Sequence, residues 1–183
     1  MQMTKNLPGA LLASFVSQTE STPALTLITG PRGAGKTIWC TDLIGRAHAR
    51  GLNVRGLISP SVFEAGQKIG IDLKDLQTGE QRHLAYRKGA AGGDVQTQDW
   101  QLVAETLDWG NSVLERIDTG DLFILDELGS FEFEHGMGLV EGIHIIDSLK
   151  KFPCVVVIRQ SLISVARKRW PWAHLLDVSS EAA

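Results

Sequence analysis

One stretch of eight residues, GPRGAGKT from Gly30 to Thr37, limits the possible folds of this chain more than any other, because it fits the pattern G-x-x-x-x-G-K-[ST]. The pattern requires a strand before it and a helix after it, and the apolar run 24–29 and the amphipathic run 36–50 supply both. Glycines let successive backbone N–H groups converge on one anion, and the start of a helix adds its positive end. The stretch therefore predicts a loop that binds phosphate groups.

The position of each residue in this loop predicts its role. Lys36 is expected to reach the β- and γ-phosphates of a nucleotide, and the Thr37 hydroxyl is expected to bind Mg²⁺. Arg32 is either a phosphate contact or an arginine that acts on a neighbouring molecule. Trp39 is interpreted as a core residue rather than a platform for a base. The predicted nucleotide-binding residues are Gly30, Pro31, Arg32, Gly33, Ala34, Gly35, Lys36, Thr37 and Ile38.

A second apolar run, 121-DLFILDELGS-130, carries two acids where its strand is predicted to end. Asp126 is expected to hold Mg²⁺ through water. Glu127 would point toward the γ-phosphate, where a carboxylate can orient and deprotonate a water; the alternative is a solvated acid at the end of the strand. The guanine-reading motif Asn-Lys-x-Asp is absent, as is the LSGGQ motif of transporter ATPases. The pattern therefore favours an ATPase-like P-loop protein that takes ATP or another nucleoside triphosphate.

The remaining pattern predicts an α/β fold. Strands at 54–59, 121–127, 154–158 and 174–179 alternate with helices, which indicates a mostly parallel sheet with helices on both faces. A β-hairpin, 66–76 with 81–86, is inserted at one edge, and helices are predicted at 36–50, about 102–117, 138–150 and 161–170. We expect one domain over residues 24–183, after an N-terminal extension of residues 1–23.

The order of the strands gives Arg159 a possible role. In this branch of P-loop folds, the strand 154–158 inserts between the strand that carries the two acids and the strand that precedes the phosphate loop. Its polar end would then lie beside the γ-phosphate. Arg159 either stabilises charge on the transferring phosphoryl group or is an ion-paired surface arginine.

Composition restricts the partners. The chain has 183 residues, 43% of them hydrophobic, and a net charge of −3, so it can bury a core but lacks the basic excess of a nucleic-acid binder. Cys40 and Cys154 are predicted to be buried free thiols. The basic and aromatic tract 167–174 is interpreted as a helix end with Trp170 and Trp172 packed beneath it. The absence of a signal peptide or a membrane-spanning run predicts a cytoplasmic protein.

The chain resembles the small nucleoside-triphosphatases first known from thermophiles, a family that includes a human cancer-related nucleoside triphosphatase. The stretches that carry the resemblance are ITGPRGAGKT, GLISPSVFEAGQKIGIDLKDLQTGEQRHLA and LFILDELGSFEF, and it covers most of residues 24–179. The resemblance implies a RecA-like fold and Mg²⁺-dependent, base-tolerant hydrolysis of NTP to NDP and phosphate. It also suggests Glu132 as a second active-site acid.

Two departures from the family pattern leave other functions open. The family usually has Glu-x-Arg where this chain has 61-SVF-63, so Phe63 replaces an arginine, and Arg159 stands where histidine is frequent. Without the family arginine, a nucleotide-dependent switch that does not turn over remains an alternative. A small-molecule or nucleotide kinase is another, because the basic residues of 81–93 could form a lid, although their strand alternation favours a solvated face. The sequence does not indicate the preferred base, a protein partner or the oligomeric state.

Overall fold

A computed structural model of the chain describes residues 8–17, 25–89, 92–97, 99–148 and 152–181. The strands are β1 (Leu25–Thr29), β2 (Val54–Ile58), β3 (Ser61–Glu64), β4 (Gln67–Asp75), β5 (Gln81–Arg87), β6 (Val95–Gln96), β7 (Trp100–Leu102), β8 (Leu122–Leu128), β9 (Cys154–Ile158) and β10 (His174–Asp177). The helices are α1 (Pro8–Ser17), α2 (Lys36–His48), α3 (Ala104–Glu115), α4 (Ser130–Glu134), α5 (Val140–Asp147) and α6 (Ile163–Arg169). Short 3₁₀ turns span Gln160–Leu162 and Val178–Glu181.

All the strands join one sheet in the order β10-β1-β9-β8-β2-β4-β5-β7-β6, and β3 pairs with β4. The strands from β10 to β2 are parallel, whereas β4 and those beyond it are antiparallel. The α/β fold and the hairpin of β4 and β5 are confirmed, and so is the insertion of β9 between β8 and β1. The short strands β3, β6 and β7 enlarge the antiparallel part beyond the predicted hairpin.

The central strands are buried because apolar residues cover both of their faces. Every residue of β1 and β9 is buried, as expected for strands in the middle of a parallel sheet. On one face the core includes residues of α3, α5 and α6, and on the other it includes residues of α1 and α2. Successive residues of β1 alternate between these layers, since Leu27 faces the first and Ile28 the second. The predicted helices on both faces are confirmed.

Several predictions for single residues can be compared with the structure. Trp39 is buried, and Cys40 and Cys154 are buried free thiols, as predicted. Burial raises the pKa of both thiols, that of Cys154 to about 12. Trp170 is fully buried, and its Nε1 donates a hydrogen bond of 2.8 Å to Asp147. The prediction for Trp172 is wrong, because its side chain lies after the end of α6 and is 48% exposed.

The N-terminal segment contains an ordered helix that packs on the fold. Helix α1 contacts α2, and its Leu12 is buried in the layer on that face of the sheet. The predicted extension 1–23 includes this helix, but residues 1–7 and 18–24 lie outside the described residues, as do residues 149 and 150 of the predicted helix 138–150. Within the described ranges, no helix has both the length and the apolar content needed to cross a membrane. The cytoplasmic location stays a prediction.

Gly56 in β2 provides a test of how closely the backbones of β2 and β8 approach each other. Its φ is +112°, and a Cβ added there would lie 1.9 Å from the carbonyl oxygen of Ile124 in β8. We expect Gly56→Ala to lower the free energy of unfolding by about 3 kcal/mol, because the backbones of β2 and β8 must separate. In thermal unfolding this corresponds to a midpoint lower by about 6–12 °C.

Gly66 offers a matched control for this substitution. It also has a positive φ, +77°, but nothing lies within 4 Å of an added Cβ. Gly66→Ala therefore measures the cost of the backbone conformation alone, about 1 kcal/mol. Equal losses in the two variants would contradict the close approach of β2 to β8.

Candidate active site

The polar residues predicted to form the site converge because parallel strands end at the same edge of the sheet. The phosphate loop follows β1 directly, and Asp126 and Glu127 lie near the end of β8. Arg159 follows β9, which separates these two strands. Two residues that the sequence interpretation did not include end the flanking strands: Ser59 follows β2, and Asp177 closes β10.

The phosphate loop owes its shape to glycines. Gly33 and Gly35 have φ values of +82° and +81°, a left-handed conformation that favours glycine, and α2 begins immediately afterwards at Lys36. The Lys36 ammonium donates hydrogen bonds to the carbonyl oxygens of Gly30 (2.9 Å) and Pro31 (3.0 Å), so it lies across the loop. The N-terminal end of α2 and the Lys36 ammonium therefore place positive charge at one point, as a phosphate site requires.

Asp126 and Thr37, the two predicted magnesium ligands, are neighbours. The Asp126 carboxylate is only 2% exposed, and the nearby Thr37 hydroxyl acts to lower its pKa. The backbone N–H of Ser59 also donates to Asp126 Oδ2 (3.3 Å), and the Ser59 hydroxyl donates to the Asp126 carbonyl (3.1 Å). Burial raises the pKa of Asp126 to about 6, and the charge of Glu127 adds to the rise. Ser59 thus fixes the acid from the neighbouring strand.

This pair of residues fits Mg²⁺. Hydroxyl and carboxylate oxygens are its preferred protein ligands, and Mg²⁺ usually takes only one or two of them and completes its shell with water and phosphate. Within the described residues no group of three or more His, Cys, Asp or Glu side chains could hold a metal. A buried carboxylate also gains from a nearby cation, because burial disfavours its charged form.

Glu127 occupies a distorted point of β8. The register between β8 and β9 shifts between Leu125 and Leu128, and Glu127 has a φ of +78°, which is uncommon for a residue with a side chain. Such outliers concentrate at functional sites, and a bulge redirects a side chain. The Glu127 side chain is 38% exposed, so water can reach a carboxylate that the strand holds rigidly.

Arg159 pairs with Glu127. Its Nε donates a hydrogen bond of 2.5 Å to Glu127 Oε1, and the charge of Glu127 is the main cause that raises the pKa of Arg159. The two interpretations of Arg159 therefore overlap, because this ion-paired arginine has the predicted general base as its partner. β9 positions the arginine, since it lies between β8 and β1.

The other arginine, Arg32, contacts a residue that the sequence did not indicate. Its Nη1 donates to Asp99 Oδ2 at 3.0 Å, and both side chains are more than half exposed. Asp99 immediately precedes β7, so the start of this strand lies beside the phosphate loop. Ile38, in the first turn of α2, is 76% exposed beside the same loop.

Glu132 binds backbone groups on both of its oxygens. Oε2 accepts a hydrogen bond from the N–H of Gly129 (2.7 Å), and Oε1 accepts one from Leu139 (2.9 Å). Burial raises its pKa, and the charge of Glu127 contributes to the rise. The carboxylate therefore closes the segment 129–139 beside the site. Its role as a second active-site acid stays a prediction.

Two basic residues of the hairpin, Arg82 and Arg87, lie along β5. Arg82, one of the residues that the kinase alternative places in a lid, forms an ion pair with Glu80 and lies 4.8 Å from the ring centroid of Trp109. Arg87 lies in β5, where it is paired with Trp100 of β7. The structure thus gives these arginines the solvated strand positions that their alternation indicates.

The phosphate loop lies between β1 and α2, and the two acids lie on β8, which is separated from β1 by the single strand β9. This arrangement defines a P-loop nucleotide-binding protein. A protein-family profile described as NTPase matches residues 26–173. The chain therefore belongs to this NTPase family and is an enzyme that hydrolyses nucleoside triphosphates.

Individual relatives agree with the family. The chain is 28% identical over 147 residues to the nucleoside-triphosphatase THEP1 of Caldivirga maquilingensis, covering 80% of this chain and 77% of that one. Its fold is similar to the solution structure of a human cancer-related nucleoside triphosphatase, with a TM-score of 0.64, 20% identity and coverage of 84% and 88%. The crystal structure of THEP1 from Aquifex aeolicus gives a TM-score of 0.64 at 16% identity, with coverage of 85% and 90%. At these identities the two structures show the shared fold.

Proposed function

We propose that this chain converts a nucleoside triphosphate to the diphosphate and inorganic phosphate with Mg²⁺, using Lys36 and Thr37 from the loop and Asp126 and Glu127 from β8. The observation that carries the proposal is the position of Thr37 next to the buried Asp126, because it brings the phosphate loop beside the acidic strand. The name nucleoside-triphosphatase, which the THEP1 relatives carry, supports the same reaction.

The loop binds the triphosphate. In the free protein the Lys36 ammonium is bound to the carbonyl oxygens of Gly30 and Pro31, and it exchanges these neutral acceptors for the β- and γ-phosphates when nucleotide binds. The N-terminal end of α2 adds its partial charge to the same phosphates. Thr37 and, through water, Asp126 would hold Mg²⁺, which neutralises charge on the phosphate oxygens when bound.

Glu127 activates the attacking water. Its carboxylate accepts one proton from the water, the water oxygen bonds to the γ-phosphorus, and the bond from that phosphorus to the bridging oxygen breaks with the electron pair leaving on the diphosphate. Arg159 fixes the direction of the Glu127 carboxylate through the hydrogen bond at Oε1. The strained backbone at Glu127 serves the same purpose, since it aims the side chain away from the regular course of β8.

Phosphate release from ATP, GTP, CTP and UTP with Mg²⁺ tests this function. We expect all four to be hydrolysed at rates within about tenfold of one another, because catalysis by the named residues acts on the phosphates and not on the base. Lys36→Ala should lower the rate by at least about a hundredfold, since it removes the ammonium that binds the β- and γ-phosphates. Omitting Mg²⁺ should have a similar effect.

The controls use the same protein preparation. The unfolding midpoint of Lys36→Ala must lie within a few degrees of that of the unmodified chain. This result shows that the loss of activity comes from the site and not from unfolding. Failure to release phosphate from every triphosphate, or full activity in Lys36→Ala, would reject the proposed function. Appearance of a phosphorylated acceptor in place of free phosphate would support the kinase alternative.

A further inference from the structure

The antiparallel part of the sheet brings another cation toward the site. Lys68 lies in β4, opposite Phe63 of β3, next to an irregularity in the pairing between Val62 and Phe63. Its side chain is half-buried, and burial is the main cause that lowers the pKa of its ammonium. The charges of Glu127 and Asp126 oppose this shift, whereas those of Arg32 and Arg159 add to it. This electrostatic environment agrees with the contacts, described next, that place the ammonium beside the phosphate loop.

An aromatic ring holds Lys68 in this position. The Nζ atom lies 5.1 Å from the ring centroid of Trp100, a cation–π contact. Trp100 directly follows Asp99, the partner of Arg32 in the phosphate loop. Two hydrogen bonds hold Trp100, because the N–H of Thr97 donates to the Trp100 carbonyl (2.8 Å) and the N–H of Trp100 donates to the Thr97 hydroxyl (3.0 Å). The adjacent residues Asp99 and Trp100 therefore contact Arg32 and Lys68, respectively.

Lys68 differs from the other cations around the loop in having no hydrogen-bonding partner. Arg32 is paired with Asp99, Arg159 with Glu127, and Lys36 with two carbonyl oxygens. Over the described part of the chain, the Lys68 ammonium makes no hydrogen bond or ion pair, and it is held instead by its cation–π contact with Trp100. A half-buried ammonium without an anion is costly, and a bound phosphate would supply the missing acceptors.

We propose that Lys68 is a further phosphate-binding residue, whose ammonium, held by the Trp100 ring, contacts the terminal phosphate of the bound triphosphate. The inference rests on the proposed function, because it requires a triphosphate in the loop. The terminal phosphate is the group concerned, because Lys68 is held next to Asp99, the partner of Arg32 in the phosphate loop, and the charges of Glu127 and Asp126 also act on its ammonium. Lys68 thus adds positive charge to the site from the antiparallel part of the sheet.

The alternative is that Lys68 only stabilises the antiparallel strands through Trp100. The two roles predict different ratios of the affinities for nucleoside triphosphate and diphosphate. Only a residue that contacts the terminal phosphate contributes to the binding of the triphosphate and not to that of the diphosphate. The test measures binding of a non-hydrolysable ATP analogue and of ADP, both with Mg²⁺, by calorimetry. Lys68→Met is the test variant, because it keeps the alkyl chain and removes the charge.

We expect Lys68→Met to weaken binding of the analogue about tenfold and binding of ADP less than about twofold, and to lower kcat for ATP by about tenfold or more. Lys68→Arg should restore the analogue affinity to within about threefold, because it retains a cation. Trp100→Leu should weaken binding of the analogue by about threefold without changing the affinity for ADP, since it removes the cation–π contact. Lys74→Ala, in the same strand, is the control and should change neither affinity.

If Lys68→Met weakens the binding of both nucleotides equally, or weakens the binding of neither, the inference is overturned. Should Lys68→Met fail to fold, Lys68→Gln carries the same comparison with the same criteria. Failure of the inference is distinguishable from failure of the proposed function, because the latter shows in the unmodified chain as a lack of phosphate release. If that chain hydrolyses ATP while Lys68→Met keeps the ratio of the two affinities, only the role of Lys68 is rejected.

Discussion

Glu127→Gln should lower the rate of phosphate release by at least about a hundredfold while nucleotide affinity stays within about threefold. Glutamine has the shape of glutamate and can accept the hydrogen bond from Arg159, but its amide cannot take a proton from water. The unusual φ of +78° persists, because the substitution leaves the backbone unchanged. A calorimetric titration with the non-hydrolysable analogue and a steady-state phosphate assay separate the two effects.

Glu115→Gln is the matched control, because this exposed glutamate lies at the end of α3 rather than in the phosphate loop or on β8. It should retain full activity and affinity. Unchanged turnover in Glu127→Gln would remove Glu127 as the general base. A loss of nucleotide binding equal to the loss of turnover would instead make Glu127 a ligand of the nucleotide or its metal.

Asp126→Asn should abolish turnover and, at the same time, stabilise the magnesium-free protein. Turnover falls because the substitution removes the charge that holds Mg²⁺, and we expect a loss of at least about a hundredfold. Stability rises because the folded protein buries a carboxylate whose pKa is raised from 3.8 to about 6, so its ionised form is disfavoured in the folded state at neutral pH. We expect a gain of about 1–2 kcal/mol, or roughly 2–8 °C in the unfolding midpoint at pH 7.5 with chelator present.

The pH dependence distinguishes this explanation from a simple change in packing. A raised pKa penalises the folded state only where the unfolded chain ionises first, so the penalty is absent below the unfolded pKa, grows as the pH rises, and is complete above about 6. The advantage of Asp126→Asn should therefore shrink to about a third at pH 4.5. Saturating Mg²⁺ with nucleotide should reverse the order of the two midpoints, because only the unmodified protein binds the pair tightly. A constant difference at all pH values would contradict burial of an ionised Asp126.

The sequence predicts the part of this protein that depends on local pattern. The phosphate loop, the two acids of β8 and the buried strands are each contained in about ten consecutive residues, so motif and hydrophobic period are sufficient to find them. The position of Arg159 also followed from the order of the central strands. Applying the same reasoning to the ends of β2 and β10 would have indicated Ser59 and Asp177, which the sequence interpretation left out.

The remainder depends on contacts between distant segments. The strands β6 and β7 have two and three residues, and their pairing depends on β5, so no period in the sequence predicts them. For this reason Leu102, assigned from its spacing to a helix, lies in β7. Lys68 had no detectable signal either, since it lies within an antiparallel strand rather than at the end of a parallel one. The pairing of Arg32 with Asp99 spans 67 positions in the chain.

The two hydrogen bonds of Glu132 close the segment after β8 into a ring, because Gly129 and Leu139 are bound by the same side chain. We expect this double anchor to limit how far displacement of the residues between them is transmitted to β8. The outer part of this ring, Glu134 to Met137, is exposed to solvent. A fluorescent label on a cysteine introduced at Met137 would therefore report on molecules that approach this side of the enzyme, without disturbing its chemistry.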